Sequence, residues 1–387
     1  MEKITANVRF IGAEDDNIDL FEGQYPAPAG ISYNSYFIDD EKIAVVDAVD
    51  MRRCDDWLVA LDEALGGRRP AYLIVQHVEP DHSGSIRAML ERYPEVKVVA
   101  TAKALAMLGN FFEGMDFASC SIAVCDGDTL ELGRTVLSFV TAPMVHWPEV
   151  MMTHDLTDGI LFSADAFGSF AMSDSTDAWD SEARRYYCNI VGKYGSSVQT
   201  VMKKLTGMPF GIIAPLHGPV LKDNLEHYWM LYDKWSRYEP ETRGVLVAYA
   251  SIYGGTAEAA RRLAAMLRDR DAGEVVLFDL CRHDLSYAVA EAFRLSRLAL
   301  CSVTCDGALF PAMYSFIHHL AAKNLRGRRV AVVENGSWTP LAGKRMCDML
   351  EAMRDMTVVS PVVTIRSRMH DSDIPALASL ADALTEE

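Results

Sequence analysis

The chain has no CxxC pair among its eight cysteines, no GxGxxG fingerprint, no apolar run near 18 residues, and too few basic residues to balance its acids. Each absence excludes something. Lys and Arg number 37 against 54 Asp and Glu, a formal net charge of −17. Nucleic-acid phosphates demand a basic surface, so nucleic acid is excluded as a partner. The acidity fits a solvated surface and by itself names no partner; an electron-donor protein with a basic face is compatible with it. Without an apolar stretch of about 20 residues, no transmembrane helix and no membrane role are expected. Residues 1–10 mix polar and apolar side chains without a signal-peptide core. Cysteines so sparse and unpatterned argue against a disulfide framework, and a reducing cytoplasm is the expected compartment.

What is present points to two domains. A chain of 387 residues, half of them hydrophobic, exceeds one ordinary core. In the first part, short apolar runs at 43–46, 72–75, 96–100, 135–140, 160–162 and 212–214 read as strands, with helical patterns at 54–65 and 85–92. That mixture predicts a layered α/β sandwich over residues 1–240, closed by an amphipathic helix at 223–235. The polar, proline-bearing stretch 238–243 reads as a short linker. A new rhythm then starts: strands at 245–249, 274–278, 298–303, 329–333 and near 358–364 alternate with helices at 256–268, 288–294, 310–322 and 340–353. Five strands in βα alternation predict a doubly wound five-stranded parallel sheet of the flavodoxin type over 244–387.

The densest chemical signal follows the run 72–75: Gln76-His77-Val78-Glu79-Pro80-Asp81-His82. With 10 His and 54 acidic residues in the chain, His-x-acid-x-acid-His arises by chance in about 0.5% of such sequences. In an extended stretch His77, Glu79 and Asp81 would share one face, and a turn at Pro80–Asp81 would send His82 toward a second metal. Three more candidates sit after strands: His146, Asp165 and His217. Either downstream histidine alone reads more readily as an ordinary polar group; beside the cluster they complete a site gathered at strand ends. A carboxylate has two oxygens, so Asp165 is suited to bridge two cations, each also seeing two histidines and one further carboxylate. His154, His227, His283, His318, His319 and His370 lack partners at useful spacing and read as surface or supporting residues.

In the second part, Ser251-Ile252-Tyr253-Gly254-Gly255-Thr256 links a strand to a helix. Hydroxyls, glycines and free amides at a helix start make an anion cradle, and a single phosphate fits better than a dinucleotide. A plain glycine-rich turn would read the same. Two further loops follow the third and fourth strands: Thr304-Cys305-Asp306-Gly307 and Asn335-Gly336-Ser337-Trp338. In a flavodoxin arrangement they flank a flavin ring, on which Trp338 would stack.

The pattern His77-x-Glu79-x-Asp81-His82, followed by single His146, Asp165 and His217, resembles the flavodiiron branch of the metallo-beta-lactamase fold superfamily. Hydrolases of that fold usually carry a second histidine where this chain has Glu79, and more carboxylate favours iron over zinc. The strings Ser32-Tyr33-Asn34-Ser35-Tyr36, His146-Trp147-Pro148 and Leu161–Gly168 also look like that family, and the resemblance spans nearly the whole chain. It implies an N-terminal αββα sandwich and a C-terminal flavodoxin-like domain. It implies His77, Glu79 and His146 on one iron, Asp81, His82 and His217 on the other, Asp165 bridging, and FMN in the second domain. The implied activity is reduction of dioxygen to water or nitric oxide to nitrous oxide. The implied donor is a rubredoxin-like protein or a reduced flavin. A head-to-tail homodimer or a dimer of dimers is implied, because the family sets the flavin of one subunit beside the irons of the other. No CxxC pair follows Thr364, so no fused rubredoxin module is expected.

The chain departs from the family in three places. No histidine precedes His77, Cys305 stands where an aromatic residue is common, and His154 where tyrosine is common. Tyr186 or Tyr187 reads either as a pocket residue or as core. Two other functions fit parts of the pattern. One is a dinuclear zinc hydrolase with an accessory flavodoxin domain; the other is an FMN electron carrier with a structural metal.

Overall fold

Alternating apolar side chains on two sets of strands determine the first compact unit, which comprises Met1–Tyr187 and Ser196–Asp233. The computed structural model describes residues 2–176 and 179–386. One sheet runs in the order Val8–Phe10, Tyr36–Ile38, Ile43–Val46, Pro70–Ile74, Lys97–Thr101, Ser121–Val124. The other runs Thr129–Glu131, Val136–Thr141, Met151–Asp155, Ile160–Phe162, Ile212–Ala214. Between them, Tyr36, Ile38, Ala44, Val46, Ile74 and Val99 of the first sheet pack with Leu137, Phe139, Met151, Ile160, Phe162 and Ala214 of the second. Burying one face of each sheet against the other is the usual way such layers exclude water. Helix Cys54–Leu65 covers the first sheet with Trp57, Leu61, Ala64 and Leu65, and stops at left-handed Gly66.

The expected strands are all present, with ends shifted by one or two residues. The shift matters at the ligand cluster. Strand Pro70–Ile74 ends before Gln76, whose amide instead donates to the buried Asp47 carboxylate. The cluster is also not extended throughout: Pro80–Ser83 forms a single helical turn with Glu79 at its N-cap. Proline at the first helical position suits that turn, because its missing N–H needs no partner there.

The second unit comprises Cys188–Gly195 and Lys234–Glu387. Its parallel strands run in the order Glu274–Asp279, Thr242–Ala250, Leu295–Cys305, Arg329–Asn335, and then the paired pieces Thr357–Val358 and Val363–Ile365. That is the 2-1-3-4-5 order of flavodoxin-like folds. The last strand was expected as one run. It is split around Pro361, which has no N–H to give a ladder. The expected linker is partly structural: Tyr238 is buried, with its hydroxyl donating to the Gly192 carbonyl at 2.9 Å, and the first strand already begins at Thr242. Helix Ile374–Thr385 was not anticipated, although its buried Leu377, Leu380, Ala381 and Leu384 follow helical spacing.

Arg328 ties this unit together. It is 1% exposed, and its guanidinium donates to the carbonyls of Leu295 (2.9 Å), Phe293 (2.7 Å) and Tyr238 (2.9 Å). These include open carbonyls around the end of helix Leu285–Arg294, where a cation is favoured. Burial pulls its pKa down to about 10, which leaves it charged at neutral pH. Arg328→Met should lower unfolding stability of this unit by about 3 kcal/mol, because several buried carbonyls lose their donor at once. Arg328→Lys should recover only part of this, since an ammonium lacks the planar fork. Chemical denaturation of the three proteins measures both effects; equal midpoints would contradict this reading.

Candidate functional site

Loops at the ends of four strands bring all seven expected ligands of the first unit to one place. Their donor atoms fall into two groups, His77, Glu79, His146 and Asp165, and Asp81, His82 and His217. Asp165 faces both. Its Oδ2 lies 3.1 Å from His146 Nε2 and 3.4 Å from His77 Nε2; its Oδ1 lies 3.2 Å from His82 Nε2 and 3.8 Å from His217 Nε2. Glu79 Oε2 is 3.1 Å from both His77 and His146, and Asp81 Oδ2 is 3.3 Å from His82 and 3.2 Å from His217. Two donors each about 2.1 Å from one ion, at angles of roughly 90 to 110°, lie about 3.0 to 3.4 Å apart. Every spacing but the 3.8 Å between Asp165 and His217 falls in that range, as ligands around two cations would.

The chemistry of the donors supports that fit. Nε2 of His82, His146 and His217 and Oδ1 of Asp81 and Asp165 are buried without a hydrogen-bond partner. Buried polar atoms seldom go unpaired, and an ion satisfies such a convergent set at once. For His77, Glu79, His82, His146 and Asp165, burial disfavours charge, yet opposite charges outweigh it. His146 is pushed up to about 9 by the Asp165 and Glu79 carboxylates, and His77 is raised by Asp165, Glu149 and Glu79. Asp165 is held well below the usual carboxylate range by the imidazoles. Backbone in the left-handed region recurs beside these loops, at Asp47, Met144, Ala164 and Phe167, a pattern typical of sites where geometry is over-determined.

Several supporting residues escaped the sequence reading. Glu149 Oε1 lies 2.8 Å from His77 Nδ1 and also accepts the Val78 amide at 3.1 Å. With Nδ1 donating to Glu149, His77 would ligate a metal through Nε2. His217 Nδ1 donates to the Ser32 carbonyl at 2.8 Å, fixing the same tautomer. Asp47 accepts the amides of Gln76 and His77, and burial pushes its carboxyl up to about 6. Glu149 had one readable signal: an acidic residue inside an otherwise apolar stretch, three positions after His146.

The remaining candidates resolve individually. Tyr186 is buried with its ring 5.5 Å from His217, whereas Tyr187 packs on Tyr232 at 5.1 Å. His154 is neither on the surface nor among the donors. It is buried in strand Met151–Asp155, 3.1 Å from the Pro209 carbonyl. A cavity of about 340 Å³ opens onto Glu79 and Asp81, with Glu22, Tyr33 and Arg52 on its wall.

The second unit carries a separate cavity of about 400 Å³ at the carboxyl ends of its strands. Of the residues expected to hold a flavin, Ser251, Ile252, Tyr253, Gly255, Thr256, Thr304, Asp306, Gly307, Asn335, Gly336, Ser337 and Trp338 line it. Gly254 and Cys305 do not. Gly254 serves the turn instead, with φ of 91° and its amide donating to Ser251 Oγ at 3.1 Å. Cys305 is taken up in a hairpin opposite Ala308. Val303, Thr339, Leu341 and Ser367 line the cavity without having been expected. Trp338 and Tyr253 stand 85% and 99% exposed at its rim, placed to cover a flat ring. The free amides at the start of helix Gly255–Asp269 suit a phosphate.

Glu149→Ala should weaken metal uptake about 10- to 100-fold by freeing the His77 ring, as measured by competition with a chelator. Unchanged affinity would make Glu149 a mere packing residue.

A family profile described as ODP family beta lactamase matches residues 31–218. Anaerobic nitric oxide reductase flavorubredoxin from Aliivibrio fischeri is 29% identical over 348 residues, covering 87% of this chain and 69% of that one. Among solved structures, rubredoxin:oxygen oxidoreductase from Desulfovibrio gigas superposes with a TM-score of 0.93 at 24% identity, covering 99% of this chain and 97% of that one. The flavodiiron protein from Giardia intestinalis gives 0.91 at 22%, covering 99% and 95%. The matched profile, the relatives and these structures agree with the ligand pattern: residues 31–218 are similar to the ODP beta-lactamase family, and the chain shares the fold of flavodiiron proteins.

Proposed function

We propose that the chain reduces dioxygen, nitric oxide or both at a pair of irons, using electrons delivered through FMN from an external donor. The observation that carries the reading is Asp165 turning one oxygen to each of two histidine pairs, with Glu79 and Asp81 completing the two groups. His77, Glu79 and His146 would hold one iron, Asp81, His82 and His217 the other, and Asp165 both. Four imidazoles and three carboxylates suit a redox-active iron better than a thiolate-rich or all-histidine set would. When bound, the metals would supply open coordination positions and electrons for a diatomic oxidant, and FMN would supply the store that replenishes them.

The residues of the chain set the conditions for that chemistry. Asp165 fixes the spacing of the two positions. Glu149 and the Ser32 carbonyl keep His77 and His217 oriented with Nε2 available. Phe21, Tyr33 and Tyr186 collar the His217 ring at 5.2, 6.0 and 5.5 Å, restricting water. Burial, together with Asp165, Asp81 and Glu79, raises the Tyr186 pKa well above its usual value, so its hydroxyl keeps its proton beside the group. The names of the relatives, a nitric oxide reductase and an oxygen oxidoreductase, support a reductase and do not favour the zinc hydrolase. A rubredoxin-like donor, a head-to-tail homodimer or dimer of dimers, and a cytoplasmic setting belong to the same proposal. No helix among the described residues is long and apolar enough to cross a membrane, and no disulfide forms among them.

The test is steady-state consumption of dioxygen and of nitric oxide by the iron-loaded protein with a reduced donor. Turnover of at least one gas, with about two irons and one FMN per chain, is expected. His82→Asn should lower that turnover at least 100-fold while the flavin is still reduced at its normal rate in stopped flow. Unchanged turnover in His82→Asn would instead indicate a flavin electron carrier, and two zincs with no iron would indicate a hydrolase.

A further inference from the structure

We propose that Ser367 completes the wall of the flavin site, its hydroxyl bonding FMN, and that Arg368 beside it offsets the negative charge at the phosphate end of the site. The inference rests on the reading that this cavity holds FMN. No Lys, Arg or His lines the cavity among the described residues. A phosphate monoester carries between one and two negative charges near neutral pH. The start of helix Gly255–Asp269 offers amides and a partial positive charge, but Glu258 in its first turn opposes an anion. The three loops legible in the sequence therefore leave the phosphate short of positive charge.

The segment after the last strand remedies this. Ser367 is on the cavity wall, in the left-handed backbone region at φ of 68°. Three contacts hold it there. Its carbonyl accepts the Asn335 side-chain amide at 3.0 Å, and its hydroxyl lies 2.8 Å from the Ser337 hydroxyl. A Cβ on Gly255 would come within 2.2 Å of the same carbonyl, so the segment packs directly on the phosphate loop and only glycine is tolerated there. Ser367 thus touches both the loop expected to take the phosphate and the loop expected to take the ring. Arg368 follows at once, its guanidinium 3.9 Å from Glu258 and 73% exposed. So loose a surface pair binds weakly and does not immobilise the arginine. It lines a neighbouring pocket with Glu258, where it offsets the carboxylate that opposes an anion at the helix start. Arg366 leans the other way, toward the Trp338 carbonyl at 3.5 Å.

The experiment titrates the flavin-free full-length chain with FMN and with riboflavin, which lacks the phosphate, following quenching of flavin fluorescence. Arg368→Gln should raise the Kd for FMN about fivefold or more at low salt and leave that for riboflavin unchanged. The difference should shrink as salt is added. Ser367→Gly keeps a backbone tolerant of positive φ while removing the hydroxyl, and should raise the Kd for FMN roughly three- to tenfold. Arg368 is exposed, so its variant tests the proposal without endangering the fold. Wild-type FMN affinity in both variants would overturn the proposal, as would equal losses for FMN and riboflavin in Arg368→Gln. If the wild-type chain binds neither flavin, the FMN reading itself fails, and this proposal with it.

Discussion

One carboxylate between four imidazoles governs the first unit. Asp165 is 1% exposed and sends one oxygen to His77 and His146 and the other to His82 and His217. An ionised carboxylate is costly to bury unless its surroundings return that cost in opposite charge. Here the surroundings do so by convergence: four loops from both sheets aim their donors at the same two points. The architecture of the unit follows from that requirement. A sandwich offers several strand ends at one edge, and each end fixes one donor more rigidly than a long loop would.

The donors are themselves held. Glu149 and the Ser32 carbonyl take the Nδ1 protons of two histidines, and Asp47 takes two amides of the segment that carries His77. These supports come from residues up to 185 positions away in sequence. They are why the site belongs to the whole unit and not to the His77–His82 motif alone. The flavin cavity follows the same logic by other means. Its loops are fixed by hydroxyls: Ser251 accepts the Gly254 amide, and Thr304 accepts the amides of Leu341 and Ala342. Thr304 thus serves mainly as a cap for helix Ala342–Glu351, although it also borders the cavity.

The parts of the structure legible in the sequence are those with a local signature. Strands came from apolar runs, the second unit from its βα alternation, and four of the seven converging donors from the dense motif His77–His82. Residues whose roles depend on distant partners were not legible. Glu149 is one acidic residue among many until the fold sets it against His77. Ser32 acts through its backbone carbonyl, which no side-chain pattern reveals. Ser367 reaches the flavin cavity only because the last strand ends beside the phosphate loop. His154 and Tyr187, which spacing left open, lie away from the donors because the strand and helix bearing them direct them to Pro209 and Tyr232. Gly254 and Cys305 show the reverse failure: a motif position can be needed for the turn and not for the ligand.

The most direct measurement is anomalous diffraction at the iron absorption edge from crystals of the iron-loaded protein. The account predicts two iron peaks about 3.5 Å apart, each within coordination distance of one oxygen of Asp165. A single peak, or two that do not share Asp165, would contradict it.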